Sequence, residues 1–185
     1  MIFADQIRKQ IDVMLHPRKA IKEGMSIGDA FRYYYKVGII SMIITSVIVA
    51  GLSSWPYGLG VFVELVALTP LGIIIEAALL QVIGYNLFRV FKGKFSDSLT
   101  AAVYSSSIFV LFSWLLLIPG INIVFIAIFA VWQFIVLIIG LAQVHKTTAL
   151  TSFGIILVTC IILAVIVVLI GLFVVAGILL PYAHI

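Results

Sequence analysis

Long apolar runs alternate with short polar connections along this chain, at residues 37 to 55, 65 to 88, 99 to 118, 121 to 144 and 153 to 180. Each is near or above the ~20 apolar residues an α-helix needs to cross a hydrocarbon core. The pattern predicts an all-α, polytopic membrane protein with five transmembrane helices, residues 37 to 185, preceded by a polar and basic segment, residues 1 to 36. Within that segment Phe3, Ile7, Ile11 and Leu15 recur every four positions among Asp5, Arg8, Lys9 and Asp12, which predicts an N-terminal amphipathic helix. Such a helix lies along the inner leaflet or packs under the inner mouth of the bundle. Pro17 disfavours helix at His16. Ser26 with Asp29 three positions on has the form of a capping box, so a new helix starts there and runs through Tyr33, Tyr34 and Tyr35, at the inner interface, into the first span.

N-cap residue types recur where helices two spans apart begin: Ser96, Asp97 and Ser98 before the third, Thr151 and Ser152 before the fifth. Pro119, Gly120 and Asn122 separate the third and fourth runs by a tight turn, which makes those spans antiparallel neighbours. Residues 56 to 65 read as a short outer loop, with Trp55, Tyr57, Trp114 and Tyr182 as an aromatic belt near the outer ends. The fifth run has Thr159 and Cys160 as its polar members, away from the midplane, and reads as a peripheral, tilted helix.

Composition agrees: 64% of residues are hydrophobic, 10% are charged and the mean hydropathy is +1.33. No soluble catalytic or nucleic-acid-binding domain fits in the polar remainder. The eleven Lys and Arg residues fix a direction. Arg8, Lys9, Arg18, Lys19, Lys22, Arg32 and Lys36 precede the first span; Arg89, Lys92 and Lys94 lie between the second and third; Lys146 lies between the fourth and fifth. The intervening loops and the C-terminal tail hold none, which predicts a cell membrane protein with a cytoplasmic N-terminus and an external C-terminus. Arg8, Lys9, Arg18, Lys19 and Lys22 are the candidate contacts to anionic lipid headgroups. A homo-oligomer and a cytosolic protein partner stay open; nucleic acid is not expected.

Candidate chemistry is confined to one depth. Glu76 is the ionisable residue deep inside a span, where a charged carboxylate costs at least ~2.5 kcal/mol, so it must face protein, be protonated or meet water. Counting from the span ends puts Thr45, Ser46, Ser106, Ser107 and Gln133 at its level. A second layer, about 7 Å nearer the cytosol at ~1.5 Å per residue, joins Gln81 to Tyr104. Gly72, one turn before Glu76, would let a neighbouring helix approach, and Pro70 is placed to open the second span. The layer is either interhelical glue around a protonated Glu76 or part of a proton- or cation-linked pathway. An enzyme is not expected: His16, His145 and His184 lie apart, lone Cys160 has no His at its depth, and no catalytic residue, metal set or cofactor site emerges.

From Lys94 onward the chain shows a basic loop, Phe95, Ser96, Leu99, Tyr104-Ser105, an Ile-Pro-Gly turn at 118 to 120, Trp132-Gln133, Ile139-Gly140-Leu141, His145 and Thr148-Ala149. This stretch, with the His16-Pro17 entry to the first helix, resembles the Yip-domain family of Ypt/Rab-interacting membrane proteins, in its short prokaryotic form. The resemblance implies five spans, a cytosolic N-terminus and no catalytic residue. Eukaryotic members are associated with small GTPases, vesicle traffic and organelle shape. Their Asp-Leu-Tyr-Gly-Pro stretch is missing here and their Tyr-Gly-Tyr-Ser is Val103-Tyr104-Ser105-Ser106, so no GTPase partner is carried over. The leading expectation is a non-catalytic membrane scaffold or membrane-organising protein, and the alternative is a small transporter or channel using Glu76.

Overall fold

The computed structural model describes residues 8, 10–13, 15–17, 21 and 26–179, with side chains through residue 172. The described residues form helices and connections, with no strand. Helix α1 is Ile27–Leu52. It starts where the sequence signals: Ser26 Oγ accepts the Asp29 N–H at 3.1 Å and donates to Asp29 Oδ2 at 2.7 Å, giving one otherwise orphaned first-turn donor a partner.

A turn at Ser53 and Ser54 leads into α2, Trp55–Val63, with Pro56 in its first turn. The expected outer loop is therefore mostly helical. Proline is tolerated at a helix start, and a Cβ on Gly58 would lie 2.6 Å from the Ser46 carbonyl oxygen, so the two backbones meet closely there. The chain continues through a π-helical segment, Glu64–Leu68, then α3, Thr69–Gln81, and a second π-helical segment, Val82–Leu87. Pro70 has no N–H to offer the Val66 carbonyl in α register or the Leu65 carbonyl in π register. Both are met from α1: Tyr34 donates to Leu65 O at 2.9 Å and Tyr35 to Val66 O at 2.8 Å. Tyr34 and Tyr35, two of the three tyrosines expected at the inner interface, thus brace the proline break.

The chain then turns back. Val90 and Phe91 both donate to Gly84 O, at 2.9 and 3.1 Å, and Arg89 has φ 55°. Helix α4 is Phe95–Leu111, followed by a 3-10 turn, Ser113–Leu117. The Pro119-Gly120 turn, with Gly120 at φ +86°, reverses the chain into α5, Asn122–Val144, which packs on α4 as its antiparallel neighbour. Thr148, not Thr151 or Ser152, caps the last helix α6, Ala149–Leu179, accepting the Thr151 N–H at 3.1 Å.

Among the described residues, four helical stretches are long and apolar enough to cross a membrane: Ile27–Leu52, Trp55–Leu87, Asn122–Val144 and Ala149–Leu172. Their exposed Ile, Leu and Val rows are what a lipid-facing surface requires. Helix α4 is different. It carries Ser and Thr throughout, is buried along nearly its whole length, and is packed by α1, α3 and α5. The bundle is built around it. Helix α6 touches α5 and α3 at one edge, with Ile161, Val165 and Val167 exposed and Cys160 among them, so the cysteine lies outside the packed core.

Candidate functional site

The polar residues inside the bundle divide into separate clusters. In the first, Thr45 Oγ1 lies 2.7 Å from Ser113 Oγ, Ser41 Oγ lies 3.1 Å from the same atom, and Thr45 donates to Ser41 O at 2.8 Å. Ser46 is satisfied within α1, donating to Met42 O at 2.7 Å. Thr45 and Ser46 make no hydrogen bond to Glu76; Thr45 reaches Ser113, which itself lines a cavity beside Glu76. Depth counting omits Ser41 and Ser113 because it takes only residues at each span's midpoint, and Ser113 lies past the helix in the 3-10 turn.

The second cluster brings in the N-terminal segment. Gln10 is 1% exposed and its Oε1 accepts from Tyr33 OH and from Ser107 Oγ, the latter at 2.9 Å. Ser107 also lies 2.8 Å from Tyr104 O, and the Tyr104 ring packs on Tyr33 at 4.4 Å. Val13 and Ile21 join the core, with Ile21 against Gly140. The described part of the segment thus enters the bundle with Gln10 and Val13 inward, while Ile11 and Leu15 of the expected apolar stripe are exposed. The packed face of the described part is thus the one beside the expected stripe, since Tyr33 and Ser107 present hydrogen-bonding groups that an amide meets and a leucine does not. Phe3 and Ile7 lie outside the described residues. Of the headgroup candidates, Arg8 is exposed; Lys9, Arg18, Lys19 and Lys22 lie outside them.

The third cluster surrounds the end of α5. Gly93 N–H donates to His145 Nδ1 at 3.0 Å, so the ring proton is on Nε2, which faces Ser98 Oγ at 2.8 Å. Ser98 donates to Gln81 Oε1 at 2.7 Å, and Gln81 Nε2 donates to Gly93 O at 3.1 Å, which closes a ring of four residues. Phe91 stacks on the imidazole at 3.9 Å, and Asp97 accepts the Lys94 N–H at 2.7 Å. His145 lies beyond the last residue of α5, and burial pushes its pKa down to about 4, with the Asp97 charge opposing. Gln81 therefore meets Ser98, not Tyr104: α4 begins at Phe95, four residues before the apolar run, and the connection folds back over the helix ends. Beside this ring Lys92, Lys94 and Lys146 line a concavity of ≈ 460 Å³.

Glu76 joins none of the three clusters by a hydrogen bond among the described residues. It lines a cavity of ≈ 490 Å³, open on one side, with Ser106 of α4 and Gln133 of α5, and Ser113 of the first cluster lines the same cavity. Gln133 Nε2 donates to Ser106 Oγ at 3.1 Å, leaving the Gln133 carbonyl oxygen and the Ser106 hydroxyl proton available to a guest. Leu65, Ile73, Phe109 and Leu116 supply apolar wall. No hydrogen bond or ion pair to the Glu76 carboxyl is formed among the described residues. Gly72 admits no close helix; a Cβ there would meet nothing within 4 Å, so the glycine widens the cavity mouth. The cavity is lined by α3, α4, α5 and the 3-10 turn, with α3 and α5 each packed on α4. Depth counting found Glu76, Ser106 and Gln133; it could not separate them from Thr45 and Ser107.

No group of three or more His, Cys, Asp or Glu residues is placed to hold a metal ion among the described residues. Comparison with models of known protein families, with curated proteins and with solved structures gives no match.

Proposed function

We propose that the chain is a small multi-pass carrier in which Glu76 takes up and releases a proton or cation within the membrane. One observation carries this reading: the Glu76 carboxyl opens into a ≈ 490 Å³ cavity beside Ser106 and Gln133 instead of being closed into a network. Interhelical glue would have paired it, since an unpaired carboxyl in an apolar bundle is costly and is retained where it works. Helix α4 with its 3-10 turn supplies a fifth traverse. Its 17 residues at ~1.5 Å and the turn's five at ~2 Å reach roughly the ~30 Å of a hydrocarbon core. With five traverses the basic ends face the cytoplasm, and Lys92, Lys94 and Lys146 add a basic concavity to the headgroup-facing side.

A second reading, a Yip-type scaffold, is favoured by the Ser41–Thr45–Ser113 and Gln10–Tyr33–Ser107 contacts, which fasten the helices of the bundle to one another. Proton uptake into proteoliposomes under an imposed pH gradient separates the two. Wild type is expected to exceed protein-free liposomes at least tenfold, Glu76→Gln to fall to their level while keeping its helical spectrum, and Glu76→Asp to retain part of the rate. Equal uptake by wild type and Glu76→Gln sinks the carrier and leaves the scaffold.

A further inference from the structure

We infer that the Glu76 cavity takes an amphiphilic amine, an ammonium group on an apolar body, entering sideways from the hydrocarbon layer and exchanging with the Glu76 proton. The inference rests on the carrier reading and names its substrate class. Three ligand classes fit a lone intramembrane carboxyl, and the walls decide among them. Calcium and magnesium favour about six or more oxygen ligands with several charges among them; here Glu76 is the one carboxylate, joined by the Gln133 amide and the hydroxyls of Thr69, Ser106 and Ser113, the last already bonded to Thr45 and Val110. A proton alone can occupy Glu76 and needs no room, yet the cavity is within the size range of small-molecule sites and mostly apolar. An ammonium with an apolar body uses everything present. Its charge meets Glu76, a second N–H meets the Gln133 carbonyl oxygen that the Ser106 contact leaves available, and its body lies against Phe109 and Leu116. Leu68, Leu71 and Ile75, on the same rod as Gly72 and Glu76, are exposed apolar residues, so the flank beside these cavity residues suits an approach from lipid. Because the carboxyl holds either its proton or the ammonium, one ammonium bound is one proton released.

The test uses the full chain in lipid nanodiscs with two fluorescent probes of equal shape, 9-aminomethylanthracene and 9-hydroxymethylanthracene, read by anisotropy against protein-free nanodiscs. Wild type is expected to prefer the amine at least tenfold and to release protons on binding it. Glu76→Gln is expected to bind both probes equally. Gly72→Leu, which extends a side chain where a Cβ meets no neighbour, is expected to bind neither while melting at the wild-type temperature. Equal binding of amine and alcohol by wild type overturns the inference and leaves an apolar crevice that takes up lipid. Amine binding unchanged in Gly72→Leu overturns it as well, by putting the probe elsewhere. Should Glu76→Gln fail to fold, the wild-type preference and Gly72→Leu still decide. Glu76-dependent proton uptake without amine binding sinks this inference alone and leaves the carrier standing.

Discussion

His145 shows how one proton can hold a connection in place. Its Nδ1 accepts from Gly93 while its Nε2 proton faces Ser98, so a second proton would turn the Gly93 contact into two donors facing each other. The folded pKa, about 4, lies below the ordinary 6.5, so the unfolded chain binds more protons between those values. Stability is therefore full above pH 6.5 and is lost as pH falls toward 4, by on the order of 3 kcal/mol if the ring stays buried. Melting of wild type in detergent is expected to drop across that window and then level off. His145→Gln is expected to start lower and lose the slope; an equal slope in the variant would put the pH effect elsewhere. A single His at a span end was legible in the sequence, and its partners were not. Ser98 reads as an N-cap and Gly93 as loop, and nothing in their spacing from residue 145 shows that the chain folds back over Gly84 to bring them to the ring.

At the scale of elements, the proline break in the second membrane rod is held by its neighbour. Tyr35 donates to the carbonyl that Pro70 leaves unmet, so Tyr35→Phe orphans a half-buried acceptor and should cost about 1–3 kcal/mol. Replacing Pro70 with alanine restores an N–H to that carbonyl, and in Pro70→Ala the same tyrosine change should cost little. A double-mutant cycle on thermal unfolding measures the coupling; additive effects would show that Tyr35 acts through packing alone. The sequence made the helices themselves legible because apolar length and cap residues are local: Ser26, Pro119 and Gly120 act where they were read. The direction each face points was not local. Glu64–Leu68 and Val82–Leu87 run in π register, and each added residue per turn rotates the remainder of the rod about its axis, so depth could be counted along α3 but facing could not. That is why Glu76, Ser106 and Gln133 were found together with Thr45 and Ser107, whose hydroxyls bond to Ser113 and Gln10.

At the scale of the whole molecule, the number of traverses depends on α4. In a Cys160→Ser background, single cysteines at Ser53 and Pro119, which both sit in exposed turns, should react with an impermeant maleimide on intact cells. One at exposed Lys92 should react only after permeabilisation. Labelling of Ser53 and Pro119 from opposite sides would show that α4 does not cross. Residues 1 to 36 were the least legible part, because an amphipathic stripe tells that a segment has an apolar face and not what meets it; Gln10 took the interior place. The enclosure of α4 also constrains how the chain is made. A segment rich in hydroxyls and short of the usual length is a poor candidate for release from the translocon into lipid by itself. Its neighbour α5, joined to it by a tight turn, is among the most apolar segments of the chain. Helix α4 would then enter the bilayer with α5 as one hairpin during synthesis, and the order in which segments leave the ribosome becomes part of the fold.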